Sequence, residues 1–560
     1  MQNFLQKIRS FPARQPLFSA AMLIFAVFFT ECVLFGGLHL AAAVLFLVFG
    51  AVTSLCFLRK KTTDLPFSTA CAVLAAIGSL TFVLNDNGLI SALLFCFLAA
   101  LYAAWASAFA PRITENRGSW KYLAGLVRLG VLQPLAQWPE AWRMLLMPFK
   151  ERKSRRTRDI VIGLLIAAPV CIVAIALLAS GDGAFSEMLS QAWDRIADVD
   201  LTVPVKIVLV ALFWPLFTGF VLGVRRPAAQ KKSAPRADTP AGAKPRRSGV
   251  RVLSPTVSVT VLGALCFVYL IYLISQLSYF FSAFASLLPD GYQFSYAEYA
   301  RRGFFEMCLL TVINFSLLCA ALLFTKRNGK KVSRALQAVA CAVCAFTLLF
   351  IATSLSKIML YVSSYGLTTL RLYTAVFDGM LLICTVCLCI HLFLPRWKYM
   401  RVILISVSAV FIVFALADAD RIIASYNTGR YLNDTTQATE IDIDYLDTLD
   451  SAAVPYLEKI YLARDTRTDR FAGQRDASAA LRVMANWRDK LCTVQTENGK
   501  ATGYEYKYMT SPTKFCLSDY LAVQVLERNL NAIESFYADQ TAGSGTPYVD
   551  PTVQMRMNSL

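Results

Sequence analysis

The stretch YAEYARRGFFE, residues 296–306, sets Glu298, Arg302 and Glu306 four residues apart at the head of an apolar run. On a helix that spacing stacks all three on one face, so Arg302 reaches both carboxylates. Later apolar runs carry Lys357, Arg371 and Asp378, the last two seven apart and again on one face. Arg and Lys in such a setting hold a carboxylate or a phosphate, while a carboxylate removed from water can act as a base.

Other chemistries lack their parts. The chain has no GxxxxGK[ST] loop, no HExxH and no GxSxG. His39 and His391 are its only histidines, which leaves a Ser-His-Asp arrangement almost without candidates. Cys384, Cys387 and His391 share a helix face with a spacing that suits a soft metal. Cysteines are spread through the apolar runs, where they act as small apolar residues, so neither a metal site nor a cofactor is expected. Glu31 and His39 lie near the first loop and read as snorkelling to water. Asn314, in mid-run, reads as an interhelical hydrogen bond.

The elements that position these residues follow from composition. Of 560 residues, 56% are apolar and 16% charged, far from the soluble average. The apolar residues cluster in runs of about 20, enough to cross a hydrocarbon core roughly 30 Å thick. The expected fold is all-α: a polytopic helical membrane protein of about eleven spans, centred near residues 27, 48, 75, 99, 170, 213, 268, 314, 348, 381 and 409. The first span, from Leu17, reads as retained rather than as a cleaved signal.

Orientation follows from Lys and Arg. Segments 1–16, 59–64, 111–158, 225–251, 326–334 and 396–401 carry 34 of them, and the alternate loops only Arg195, Arg301 and Arg302. The rule that basic loops stay inside puts the N-terminus in the cytoplasm and, with eleven spans, the tail outside. The net charge of +18 is mostly this asymmetry, so no nucleic-acid partner is needed to explain it.

Four parts follow. Residues 1–224 form a six-span module, with Trp-rich and basic residues 119–150 as short helices in the inner interface or as a hairpin packed on other loops. Residues 225–251 are a basic, Pro- and Ala-rich linker. Residues 252–417 form a five-span module. The tail, 418–560, has 20 Asp or Glu against 15 Lys or Arg and a soluble composition. Helical periodicity in 444–463, 477–491 and 517–538, and Asn498-Gly499 before GYEYKY, predict a small, mainly helical domain with one hairpin. Its Cys492 and Cys516 read equally as a disulfide or as two thiols.

YAEYARRGFFEMCLLTVINFSLL (296–318), DADRIIASYNTGRYL (418–432) and DIDYLDTLDSAAVPYL (442–457) resemble a bacterial multi-pass membrane family catalogued as domain of unknown function 4173, with a relative numbered 4153. The likeness covers residues 250–460. The resemblance implies no activity, ligand or catalytic residue, and it points to the back half as the working module.

Two accounts of the charges stand together. Glu298, Arg302, Glu306, Lys357, Arg371 and Asp378 line a polar pocket opening outward, or they form ion pairs that fix helix packing. Depth separates them: Asp378 lies about 18 Å along the helix from Gly366, near the midplane, where an idle carboxylate is costly. The expected role is therefore binding or transport of a small anionic or amphiphilic ligand, with membrane lipids around it. The alternatives are an envelope sensor or assembly platform that binds a protein through its tail, and a transferase on lipid-linked substrates with Asp378 or Glu306 as base. A non-enzymatic role is favoured.

Overall fold

The computed structural model describes residues 16–57, 64–84, 86–109, 120–146, 202–225, 253–275, 304–326, 333–394, 397–434, 440–465, 470–497, 500–507 and 514–544. Backbone N–H and C=O groups in lipid must pair within their own segment, so the apolar runs are helices. The chain opens with α1 (Pro16–Phe28), which continues through a π-helical turn (Phe29–Leu34), and α2 (Leu40–Phe57). Next come α3 (Leu65–Leu84) and α4 (Gly88–Ser107), the short helices α5 (Trp120–Val127), α6 (Gln133–Ala136) and α7 (Trp138–Leu146), and the long α8 (Thr202–Arg225). After the linker follow α9 (Pro255–Ser275), α10 (Phe304–Phe324), α11 (Arg334–Tyr365), α12 (Thr369–Phe393) and α13 (Tyr399–Leu416).

Among the described residues, α3, α4 and α8 to α13 are the eight helices long and apolar enough to cross a membrane. Eight of the eleven expected spans, those near residues 75, 99, 213, 268, 314, 348, 381 and 409, fall on these helices. Those near residues 27 and 48 fall on α1 and α2, whose apolar stretches, Phe18–Leu34 and Leu40–Leu55, are shorter. The span near residue 170 and nearly all of the basic linker lie outside the described residues.

Helices α1 to α4 and α8 bury Phe29, Phe46, Leu98 and Trp214 in one core. Trp214 is 1% exposed, donates its indole N–H to the Ser19 carbonyl at 2.9 Å, and meets the Trp142 ring edge-on. Of the segment 119–150, the described residues 120–146 form short helices, and these dock on the bundle. Tyr122 Oη lies 2.9 Å from Ser107 Oγ on α4, and Gly219 lets the Pro134 backbone approach α8 so closely that a Cβ would stand 2.6 Å from the Pro134 carbonyl oxygen.

Helices α9 to α12 share a second core around Leu262, Leu318, Val343 and Leu388. Asn314 is the interhelical bond expected of it: Tyr269 donates to its Oδ1 at 2.5 Å, and its Nδ2 donates to Thr347 Oγ1 at 3.1 Å. Asn314→Leu leaves the Tyr269 hydroxyl stranded, and a loss of about 1 kcal/mol is expected, read as a lower melting temperature in micelles. An unchanged melting point overturns that assignment.

The two helical groups meet at α13. It packs on both α12 and α3, with Phe411 and Ile412 in the first core, the Phe411 ring stacked on Phe97 at 4.3 Å, and Arg401 paired with Asp64 at the start of α3.

Beyond α13 the chain turns through Asp418, whose φ of 59° and N-capping carboxylate start α14 (Ala419–Asn433). Then follow α15 (Ile443–Asp447), a 3-10 turn (Ser451–Ala453), α16 (Val454–Leu462), a second 3-10 turn (Ala463–Asp465) and α17 (Arg470–Leu491). The antiparallel strands β1 (Cys492–Glu497) and β2 (Lys500–Tyr506) come next, and α18 (Leu517–Arg528) and α19 (Leu530–Ser544) close the described chain. The hairpin expected at Asn498-Gly499 forms, with Glu497 opposite Lys500. The single helix expected over 517–538 breaks at Asn529, whose side chain donates to the Val525 carbonyl and to Glu458 of α16, capping one helix while tying it to another. Ile423, Leu446, Leu457, Met484 and Leu526 form the tail's core, joined by Leu367 from the α11–α12 turn. Cys492 and Cys516 are free, buried thiols.

Candidate functional site

Helices α10, α11 and α12 carry three of the six expected site residues, Glu306, Lys357 and Asp378. Asp378 is wholly buried, with Cys308 of α10 and Ser354 of α11 facing its carboxyl group. Neither closes a hydrogen bond to it, and both Asp378 oxygens lack a partner. One turn from Ser354, Lys357 is 9% exposed and faces Glu306, an exposed residue in the first turn of α10. Lys357 stands three residues from Ser354 and so on the same face of α11, whereas Glu306 stands two residues from Cys308 and so on a different face of α10.

Arg371 does not join them, and its expected pairing with Asp378 is corrected. Its guanidinium bonds the Gly366 carbonyl, where α11 ends, and lies over the Tyr361 ring at 3.9 Å. A helix C-terminus presents unpaired carbonyls, and a cation at the head of the next helix is well placed to take them. Glu298 and Arg302 lie outside the described residues.

The weaker candidates resolve differently. Glu31 pairs with Lys206 of α8 at 2.6 Å, and His39 comes within 3.5 Å of Asp86, so neither merely reaches for water. The His391 ring lies 4.1 Å from that of Tyr399. Among the described residues, no three His, Cys, Asp or Glu side chains are grouped to hold a metal ion.

A second polar group escaped the sequence reading. Where the tail joins the bundle, Asp420 at the head of α14, beside Asp418, meets Asn87 from the α3–α4 turn, whose Nδ2 donates to Asp420 Oδ2 at 2.6 Å. Asp450, ahead of the 3-10 turn, and Asp519, in the first turn of α18, complete it with Asp86. Burial raises Asp418, Asp420 and Asp519 above the ordinary carboxylate range, and burial together with Asp418 and Asp420 pushes Asp450 up to about 8. The same cause lowers His39, so it is a poor counter-charge. Three of these aspartates stand in DADR (418–421) and in the motif at 442–457 that carried the family resemblance. Each reads singly as a loop or capping residue.

A family model described as Domain of unknown function (DUF4153) matches residues 70–460. It is the relative, not the family numbered 4173, that matches, and it reaches well into the front half rather than beginning near residue 250. No curated protein and no solved structure matches the chain.

Proposed function

We propose that this chain, which belongs to the DUF4153 family, is an integral membrane protein that binds and moves a small amphiphile through the α10–α12 layer. The observation that carries the reading is Asp378: a fully buried carboxyl group with both oxygens unsatisfied, in the interior of a membrane helix. A group so placed is costly, and intramembrane carboxylates persist where they receive a ligand or a proton. Lys357, about one turn from Ser354, supplies the opposite charge. A ligand with an anionic group for Lys357 and an N–H donor for Asp378 satisfies both at once.

With Arg371 committed to the Gly366 carbonyl, Lys357 is the remaining described cation of the expected set, which favours an amphiphile bearing both signs over a purely anionic one. The 34-against-three distribution of basic residues supports entry from the tail side, with the N-terminus cytoplasmic.

The test is thermal stabilisation of the purified protein by a single-chain phosphoethanolamine amphiphile. The wild type is expected to gain stability in proportion to the logarithm of ligand concentration above its Kd. Lys357→Met and Asp378→Asn are each expected to abolish the gain. Equal gains in all three proteins defeat the proposal, as does a wild type that does not respond.

A further inference from the structure

The carboxyl groups at the junction of bundle and tail have no part in ligand binding at Asp378, yet their geometry makes a specific demand. Asp420 and Asp450 lie within hydrogen-bonding reach of each other. Asp420 already accepts from Asn87 Nδ2 at 2.6 Å and from the Asp450 backbone N–H. Asp450 Oδ1 accepts from the Ala452 N–H at 2.9 Å, while its Oδ2 is buried and finds no donor. Two carboxylates facing each other are both acceptors, and a proton on one of them turns the contact into a hydrogen bond.

A second buried group points the same way. The Ser451 hydroxyl, fully buried, faces Asp519 without completing a bond, and Asp519 Oδ1 is likewise unsatisfied. Among the described residues, Arg421 meets Asp418 at 3.6 Å and is 44% exposed, and Lys514 faces His39. From the bundle, Tyr373 of α12 faces Asp420 and Asp450, and Asp86 faces Asp450 and Asp519. From the tail, Tyr506 donates to Asp519 Oδ2 at 3.2 Å, and Cys516, its thiol pushed up to about 12 by burial and Asp519, stays neutral beside it.

We propose that this junction is a proton-binding site: Asp450 takes a proton from water on Oδ2 and donates it to Asp420, and the shared proton fastens the tail to the bundle. The ligand is the proton itself, since the described acidic groups enclose no metal position. Loss of the proton leaves two facing anions in a joint that already holds Asp418, Asp86 and Asp519, and their repulsion loosens the tail.

The sign follows from linkage. Burial, then Asp418 and Asp420, raises Asp450 in the folded protein to about 8. The unfolded carboxyl titrates near its ordinary value of about 4. The stabilisation is therefore complete below about pH 4 and is lost as pH rises towards about 8, above which the profile levels. Asp86 is also raised by burial and by Asp519, but its side chain is 40% exposed and water screens it, so Asp450 sets the upper edge of the window.

The experiment uses the full chain in micelles, with melting temperature measured from pH 5 to pH 9. The wild type is expected to lose on the order of 5 °C up to pH 8 and then to level. Asp450→Asn, whose amide donates permanently to Asp420, is expected to remove most of that fall. Asp444→Asn, at an 85% exposed surface ion pair, is expected to follow the wild type. Parallel profiles for wild type and Asp450→Asn overturn the proposal. Should Asp450→Asn not fold, infrared spectra of the wild type decide: a protonated-carboxyl band at pH 6 that disappears by pH 9 supports it, and a spectrum without that change overturns it.

Discussion

Asp378→Leu raises the melting temperature of the purified protein and ends its response to the amphiphile. A carboxyl group at the middle of a membrane helix costs about 2.5 to 3.5 kcal/mol on insertion scales. Here Ser354 and Cys308 face the group, but neither completes a hydrogen bond to it. Leucine removes the penalty and fills a site lined by small side chains, so a gain of about 2 kcal/mol is expected. Asp378→Asn is expected to fall between the two proteins, because its amide can donate to Ser354 while keeping the shape. A melting temperature that falls in Asp378→Leu sinks the reading, since it marks Asp378 as a packing residue whose partners hold the helices together. The opposed directions of stability and binding make the experiment decisive: a residue kept at the expense of stability is kept for function.

Hydropathy was enough to place eight of the spanning helices, because backbone in lipid has one solution and apolar runs reveal it directly. The tail's helices and hairpin were legible for a similar reason: period and turn residues are local signals. Asn314 was legible because a lone amide in an apolar run needs a partner on another helix. Arg371 was misread because its best partner is a backbone carbonyl, and helix ends leave no mark in residue type. The junction was invisible for a different reason. Asn87 and Asp420 are 333 positions apart, and an aspartate in a loop looks solvated until the chain folds another loop over it. The role of α13 in joining the two helical groups was equally hidden, since an apolar helix carries no record of which faces it touches.

Gly366→Ala is expected to separate the tail from the bundle's end more completely than any single surface change. Gly366 has φ 79° and ψ 177°, a region open only to glycine, and an added side chain there costs about 1 to 3 kcal/mol in strain. Its Cβ would also stand 2.7 Å from Asn427 Oδ1. Asn427 is the clasp between α14 and the α11–α12 turn: its Oδ1 accepts from the Leu367 N–H and its Nδ2 donates to the Leu367 carbonyl, each at 2.8 Å. Displacing it breaks both bonds, about 1 kcal/mol each, and strains Arg430, which holds the Ser364 carbonyl at 2.9 Å. A combined loss of about 3 kcal/mol follows, read as a lower melting temperature and faster proteolysis between α14 and α15. Asn427→Ala loses the bonds without the strain and is expected to cost about half as much. Gly263→Ala supplies the comparison, because nothing lies within 4 Å of the added carbon on α9. If Gly366→Ala behaves as Gly263→Ala does, the turn is free of the tail, and the coupling of tail to bundle through this clasp is wrong.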